Sequence, residues 1–125
     1  MFYLALAEHG LWKLKYDCGQ GENGRGDKIT VKRLSGEGDT VYCVGLGVGR
    51  PGGDYYTEDK ALYVSGKIGG HYGFYRTLDE GVTFERLNTD RQQFGEIHSI
   101  DGDCRIFGRF FLATGSNGIL YGEPA

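Results

Sequence analysis

Leu62-Tyr63-Val64-Ser65, a glycine-containing link, and then Gly73-Phe74-Tyr75-Arg76-Thr77-Leu78-Asp79-Glu80-Gly81-Val82-Thr83-Phe84 form the stretch that decides the fold of this chain. A short apolar run, a turn rich in glycine, and a glycine followed by large apolar side chains together describe a β-hairpin. The same pattern occurs upstream, in Tyr3-Leu4-Ala5-Leu6-Ala7 with Gly10-Leu11-Trp12. It occurs again downstream, in Phe110-Phe111-Leu112-Ala113 with Gly118-Ile119-Leu120-Tyr121. Three hairpins of one design in 125 residues make internal repetition the main signal.

The anchoring glycines set the period. Gly73 and Gly118 stand 45 residues apart, inside the roughly 40–50 residues of a β-propeller blade. Gly10 and Gly73 stand 63 apart, and two glycine-rich insertions, 17–27 and 45–59, account for the excess as loops outside the strands. Further strands are expected at 28–34, 40–45, 83–87 and 97–100, and no segment shows a helical period. The expected fold is therefore all-β: a partial β-propeller of two blades plus part of a third, built from four-stranded antiparallel sheets. Its blade-like units fall at roughly 1–38, 39–88 and 89–125. A propeller closes with about four to eight blades, so one copy of this chain does not close a ring.

Composition agrees and removes several function classes. With 23 glycines, 9 tyrosines and 7 phenylalanines against 2 prolines and 1 methionine, the chain favours short strands and tight turns over helices. A net charge of −3 with scattered Lys and Arg offers no stripe to neutralise a phosphate backbone, so nucleic acid is not expected as a partner. No run reaches the roughly 18 apolar residues of a membrane span. The apolar opening 2–7 meets Glu8 and His9 without a basic leader, so it reads as a strand and not as a signal peptide. Cys18, Cys43 and Cys104 lack the spacing of a metal knuckle or a redox pair and read as free thiols, with a Cys18–Cys43 disulfide open.

Thr77 to Phe84 also carries a specific turn. Ser or Thr, Asp, Gly, Thr and an aromatic at these offsets form the Asp-box, which links two outer strands of a blade. The expected roles are structural: Thr77, Asp79 and Thr83 for hydrogen bonds, Gly81 for positive φ, and Phe84 packed beneath the turn. An Asp saturated by donors is held below the usual carboxylate range and makes a poor general acid.

At this point the sequence resembles the Asp-box propellers of glycoside hydrolase family 74, the xyloglucanases and oligoxyloglucan cellobiohydrolases. Ala61-Leu62-Tyr63-Val64-Ser65-Gly66 is similar to the family's ALY-hydrophobic-x-G strand, and 73–81 to its G-I-F-R-S-x-D-x-G. Downstream, 88–95 resembles N-D-D-x-H-Q-aromatic-G, 102–109 resembles G-D-P-R-aromatic-G-R, and 113–122 resembles the closing G-T-N-G-R-G-I-x-Y-G. Gly10-Leu11-Trp12-Lys13 resembles a G-L-W-R strand. Cys104 stands where the family has Pro, Gln92 where it has His, Phe84 where Trp is commoner, and Ser116-Asn117 in place of an Asn-Gly-Arg run.

The resemblance implies a parent of two seven-bladed propellers that hydrolyses the β-1,4-glucan backbone of xyloglucan, a plant cell-wall polysaccharide, with inversion. It implies secretion, and a pair of aspartates in blades far upstream, held roughly 6.5–9.5 Å apart so that a water fits between carboxylate and sugar. No acidic residue here matches either position, so no catalytic residue is assigned. Asp39, Asp54, Asp59, Asp101 and Asp103 are expected in turns and loops. The chain alone is expected to be inert, and whether the parent acts internally or from an end is left open.

The remaining attractive features are weaker. Gly19 to Gly24 satisfies G-x-G-x-x-G, but a strand follows where a dinucleotide site needs a helix. Arg25-Gly26-Asp27 is an integrin-type tripeptide in a glycine-rich loop. His9 and His98 near strand ends have no partners at ligand spacing, so no metal and no cofactor are expected. Tyr55, Tyr56, His71 and Tyr72 lie in expected loops beside glycines and are the sugar-contact candidates, although packing is the commoner fate of such rings. Two other functions stay open: a non-catalytic glycan-binding or scaffold protein whose copies pair through open blade edges, and a propeller with another ligand.

Overall fold

Backbone groups inside a folded chain must find partners, and here they do so almost wholly by antiparallel pairing of neighbouring strands. A computed structural model describes residues 2–19, 21, 24–53, 60–88, 97–114 and 118–122. They form β1 (Phe2–Ala5), β2 (Leu11–Asp17), β3 (Lys28–Arg33), β4 (Thr40–Val48), β5 (Lys60–Ile68), β6 (His71–Thr77), β7 (Glu85–Arg86), β8 (Ile97–Gly102), β9 (Phe110–Thr114) and β10 (Ile119–Gly122). The strands make three sheets in chain order, β1-β2-β3, β4-β5-β6-β7 and β8-β9-β10, and every pairing is antiparallel. The chain is an open partial β-propeller.

The three hairpins share one register. Tyr3 pairs with Lys13, Tyr63 with Arg76, and Phe111 with Tyr121, each three residues beyond the anchoring Gly10, Gly73 or Gly118. β1, β5 and β9 are therefore equivalent strands. The middle sheet carries all four strands, whereas among the described residues the first has no counterpart of β4 and the third no counterpart of β7. The Thr83–Leu87 strand expected from sequence is reduced to Glu85–Arg86, with the Leu87 N–H donating to the Phe74 carbonyl at 2.9 Å, because Thr83 is held in the preceding turn.

Two cores lie between the sheets, and β5 feeds both. Its Leu62 and Val64 join Leu11, Leu34, Val41 and Tyr75 on one side. Ala61 and Tyr63 join Phe74, Ile100, Phe110 and Leu112 on the other. Burial on both faces is why this strand reads as an unbroken apolar run instead of an alternation. The two outward faces of the flanking sheets have no such cover. Phe2 is 61% exposed where its equivalent Leu62 is 2% exposed, and Ile119 is 77% exposed where Phe74 is 6%.

The segment 45–48 departs from its expected place in a loop: it continues β4 and pairs with β5. The reason is close approach. A Cβ on Gly45 would stand 2.1 Å from the Ile100 carbonyl oxygen, and one on Gly102 would stand 2.6 Å from the Cα of Gly47. Glycine here lets the inner strands β4 and β8 of adjacent blades touch.

Candidate functional site

Strand direction sorts the loops into two ends. The β5–β6 turn at Gly69-Gly70, the start of β4 and the start of β8 lie at one end, since Thr40 pairs with Lys67 and the Cys43 thiol reaches the carbonyls of Ile97 (3.3 Å) and His98 (3.2 Å). The β1–β2 turn joins them through the Ala7–Val41 bridge. Asp39 ties this end together by accepting the N–H groups of Gly36 (2.9 Å) and Gly69 (3.1 Å).

His71 and Tyr72 open β6 at this end, and both are exposed. Because Ser65–Phe74 faces the core shared with β8 and β9, the Lys67–Tyr72 pair two residues on lies on the same face. The Lys67 ammonium sits 5.3 Å from the centroid of the Tyr72 ring, a cation–π arrangement. Tyr42 comes to the same place from β4, where the register slips between Val41 and Cys43 and leaves Tyr42 in a bulge. The charge available at Tyr72, ahead of desolvation, a hydrogen bond to the same phenol and nearby Glu8, holds the Tyr42 phenol above the usual tyrosine range.

Sequence reasoning missed Tyr42. It also missed a second bulge: β8 slips between Ile97 and Ser99, leaving exposed His98 at the position equivalent to Tyr42. Tyr55 and Tyr56 lie outside the described residues. Their flanking residues Val48 and Lys60 pair with each other at the end of the sheet remote from Tyr72.

At that remote end Thr77 to Phe84 makes a dense turn. The Thr77 hydroxyl donates to Asp79 Oδ1 (2.8 Å) and accepts from the Gly81 N–H (2.8 Å). Asp79 also accepts the Thr83 N–H (2.9 Å) and the Thr83 hydroxyl (2.6 Å). Gly81 has φ +90°, and Phe84 packs against the core around Val64. Glu80 receives Lys13 from β2 at 2.7 and 2.8 Å, fastening the turn to the neighbouring sheet.

These donors, Thr83 first and then Thr77, hold the Asp79 carboxyl below its ordinary 3.8, and the N–H groups of Arg105 and Ile106 do the same for Asp103. A carboxyl with a depressed folded-state pKa contributes stability that is full above its unfolded value and is lost as pH falls toward the folded one. We expect the melting temperature to fall as pH drops below about 4. Asp79→Asn should shallow that drop in a pH series of thermal melts; an unchanged slope would contradict the role given to Asp79.

The other described acids in question are similarly engaged. Asp101 accepts the N–H of Leu46 (3.1 Å) and of Gly102 (3.1 Å), and Asp103 those of Arg105 (2.7 Å) and Ile106 (3.0 Å). Asp27 of the Arg-Gly-Asp tripeptide is held by the Tyr16 hydroxyl and by the Gly19 N–H at 3.0 Å. Asp54 and Asp59 lie outside the described residues. Among the described residues strand β3, and not an α-helix, follows Gly24, so the helix N-terminus that a pyrophosphate site needs does not come after it. Among the described residues no group of three or more His, Cys, Asp or Glu could hold a metal ion, and all three cysteines are free thiols. Among the described residues no helix is long and apolar enough to cross a membrane.

No family model matches the sequence. Individual proteins do. The chain is 44% identical over 88 residues, 70% of its length, to a xyloglucanase of Acetivibrio thermocellus. It is 31% identical over 97% of its length to an oligoxyloglucan-reducing end-specific xyloglucanase of Emericella nidulans. The crystal structure of the GH74 xyloglucanase from Xanthomonas campestris superposes on 90% of the chain with a TM-score of 0.66 and 34% identity. The chain spans only 10% and 14% of the two curated relatives and 15% of the solved one.

Proposed function

Because this chain is homologous to part of the glycoside hydrolase family 74 xyloglucanases, we propose that it supplies blades to a xyloglucan-degrading propeller whose bond-cleaving carboxylates lie in other residues. The observation that carries the reading is the 44% identity to a xyloglucanase over 88 residues, 70% of the chain. The chemistry of the described acids supports it. Asp39, Asp79, Asp101 and Asp103 each accept backbone N–H groups, and those donors hold the Asp79 and Asp103 carboxyls below the usual carboxylate range, the wrong direction for a general acid. Xyloglucan is a wall polymer too large to enter a cell, so the place of action is extracellular.

The test is direct. Purified chain incubated with xyloglucan should release no reducing ends above a buffer blank, and measured turnover would overturn the assignment of catalysis to other residues. The exposed apolar outer faces favour a second reading, in which copies of the chain associate through those faces.

A further inference from the structure

We propose that Tyr42, Tyr72 and His98 form a sugar-stacking subsite on the end of the wedge, taking a β-linked glucan chain by the flat faces of its pyranose rings. The choice of glucan rests on the xyloglucan reading above; the existence of the site rests on geometry. Two inner strands of adjacent sheets, β4 and β8, carry bulges at equivalent positions. Val41 and Cys43 pair with Gly66 and Ser65, just as Ile97 and Ser99 pair with Thr114 and Ala113. A bulge gives up ladder pairing and re-aims a side chain. Here it does so twice, side by side, for Tyr42 and for His98.

The aromatic partner comes from the next hairpin turn. Tyr72 is 55% exposed and Tyr42 54% exposed, although Tyr63, Phe74, Tyr75 and Phe110 of the same sheets are all buried. Rings that leave so much apolar area in water, on the two strands that flank Gly66 and Lys67 of β5, make a platform for a ligand with an apolar face and a hydroxyl-rich rim. Lys67 over the Tyr72 ring and Glu8, whose charge is felt at Tyr42, bring opposite charges, so the surface suits a neutral polyol better than an anion or a cation. The start of β8 abuts β4 through the Cys43 thiol, which extends the surface across two blades and along a chain of several sugars.

The test uses the full chain, labelled with nitrogen-15 and titrated separately with a xyloglucan oligosaccharide, cellotetraose and mannotetraose. Amide shifts should concentrate at residues 41–43, 67–72 and 97–99. Tyr42→Ala and Tyr72→Ala should each weaken glucan binding about tenfold or more, whereas Tyr42→Phe and Tyr72→Phe should stay within about twofold, because the ring supplies the contact. No binding of any oligosaccharide, or binding indifferent to both alanine variants, would overturn the site and leave the xyloglucanase kinship standing. Binding of mannotetraose at these tyrosines with no binding of either glucan would keep the site and overturn the glucan assignment.

Discussion

Tyr63→Ala is expected to destabilise the chain by about 3–5 kcal/mol, the range for removing a large aromatic side chain from a core. Tyr63 is among the largest fully buried side chains, and its ring stacks on Phe110 with centroids 5.6 Å apart and planes 28° apart. It also lies over two glycines, since a Cβ on Gly47 or Gly102 would come within 2.9 or 2.6 Å of its Cε2. No side chain there can move in to fill the space, so the cavity would stay open between the middle and last sheets. Tyr63→Phe keeps the ring and loses the phenol's hydrogen bonds with Arg76 and the Gly108 backbone, at a cost of about 1.5–3 kcal/mol. Urea midpoints of both variants measure the difference; an alanine variant within about 1 kcal/mol of the parent would contradict the interblade position of this ring.

Gly45→Ala should be nearly as severe, about 3 kcal/mol or more, although it adds only one methyl group. The added Cβ would meet the Ile100 carbonyl oxygen at 2.1 Å and the Asp101 Cα at 2.6 Å, and both are backbone atoms of β8. A flexible side chain could yield, but a strand can yield only by moving as a unit. The substitution should therefore lower the melting temperature and weaken protection in β8 and β9 more than in β1 to β3. A variant that melts with the parent would mean that β4 and β8 are not in contact.

The hairpins were legible in the sequence because glycine followed by large apolar residues is local chemistry, and because repetition makes one reading check another. The Thr77–Phe84 turn was legible for the same reason: every bond of Asp79 described here falls within residues 77–83. Gly47 was misread as loop, and Gly45 as the junction where strand gives way to loop. Glycine signals both a turn and a close backbone approach, and only the distant partner, here Ile100 to Asp103, tells the two apart.

Tyr42 and His98 were not legible as a pair at all. A bulge is one extra residue in a ladder, set by how two strands meet, and it leaves no residue-type signature in Val41-Tyr42-Cys43 or Ile97-His98-Ser99. His71 and Tyr72 were found because they adjoin the Gly69-Gly70 turn. Two four-stranded blades and part of a third were expected; among the described residues the middle sheet shows four strands and each outer sheet three.

Hydrogen exchange of the purified chain, followed by mass spectrometry at several protein concentrations, tests the packing of the three sheets most directly. In dilute solution the amides of β5, buried on both faces, should exchange slowest, and those of β1 and β10 at the uncovered flanks fastest. Protection of β1 and β10 that grows with concentration would mark association of copies through these flanks. Protection of β1 and β10 equal to that of β5 at every concentration would contradict a structure closed within and open on both sides.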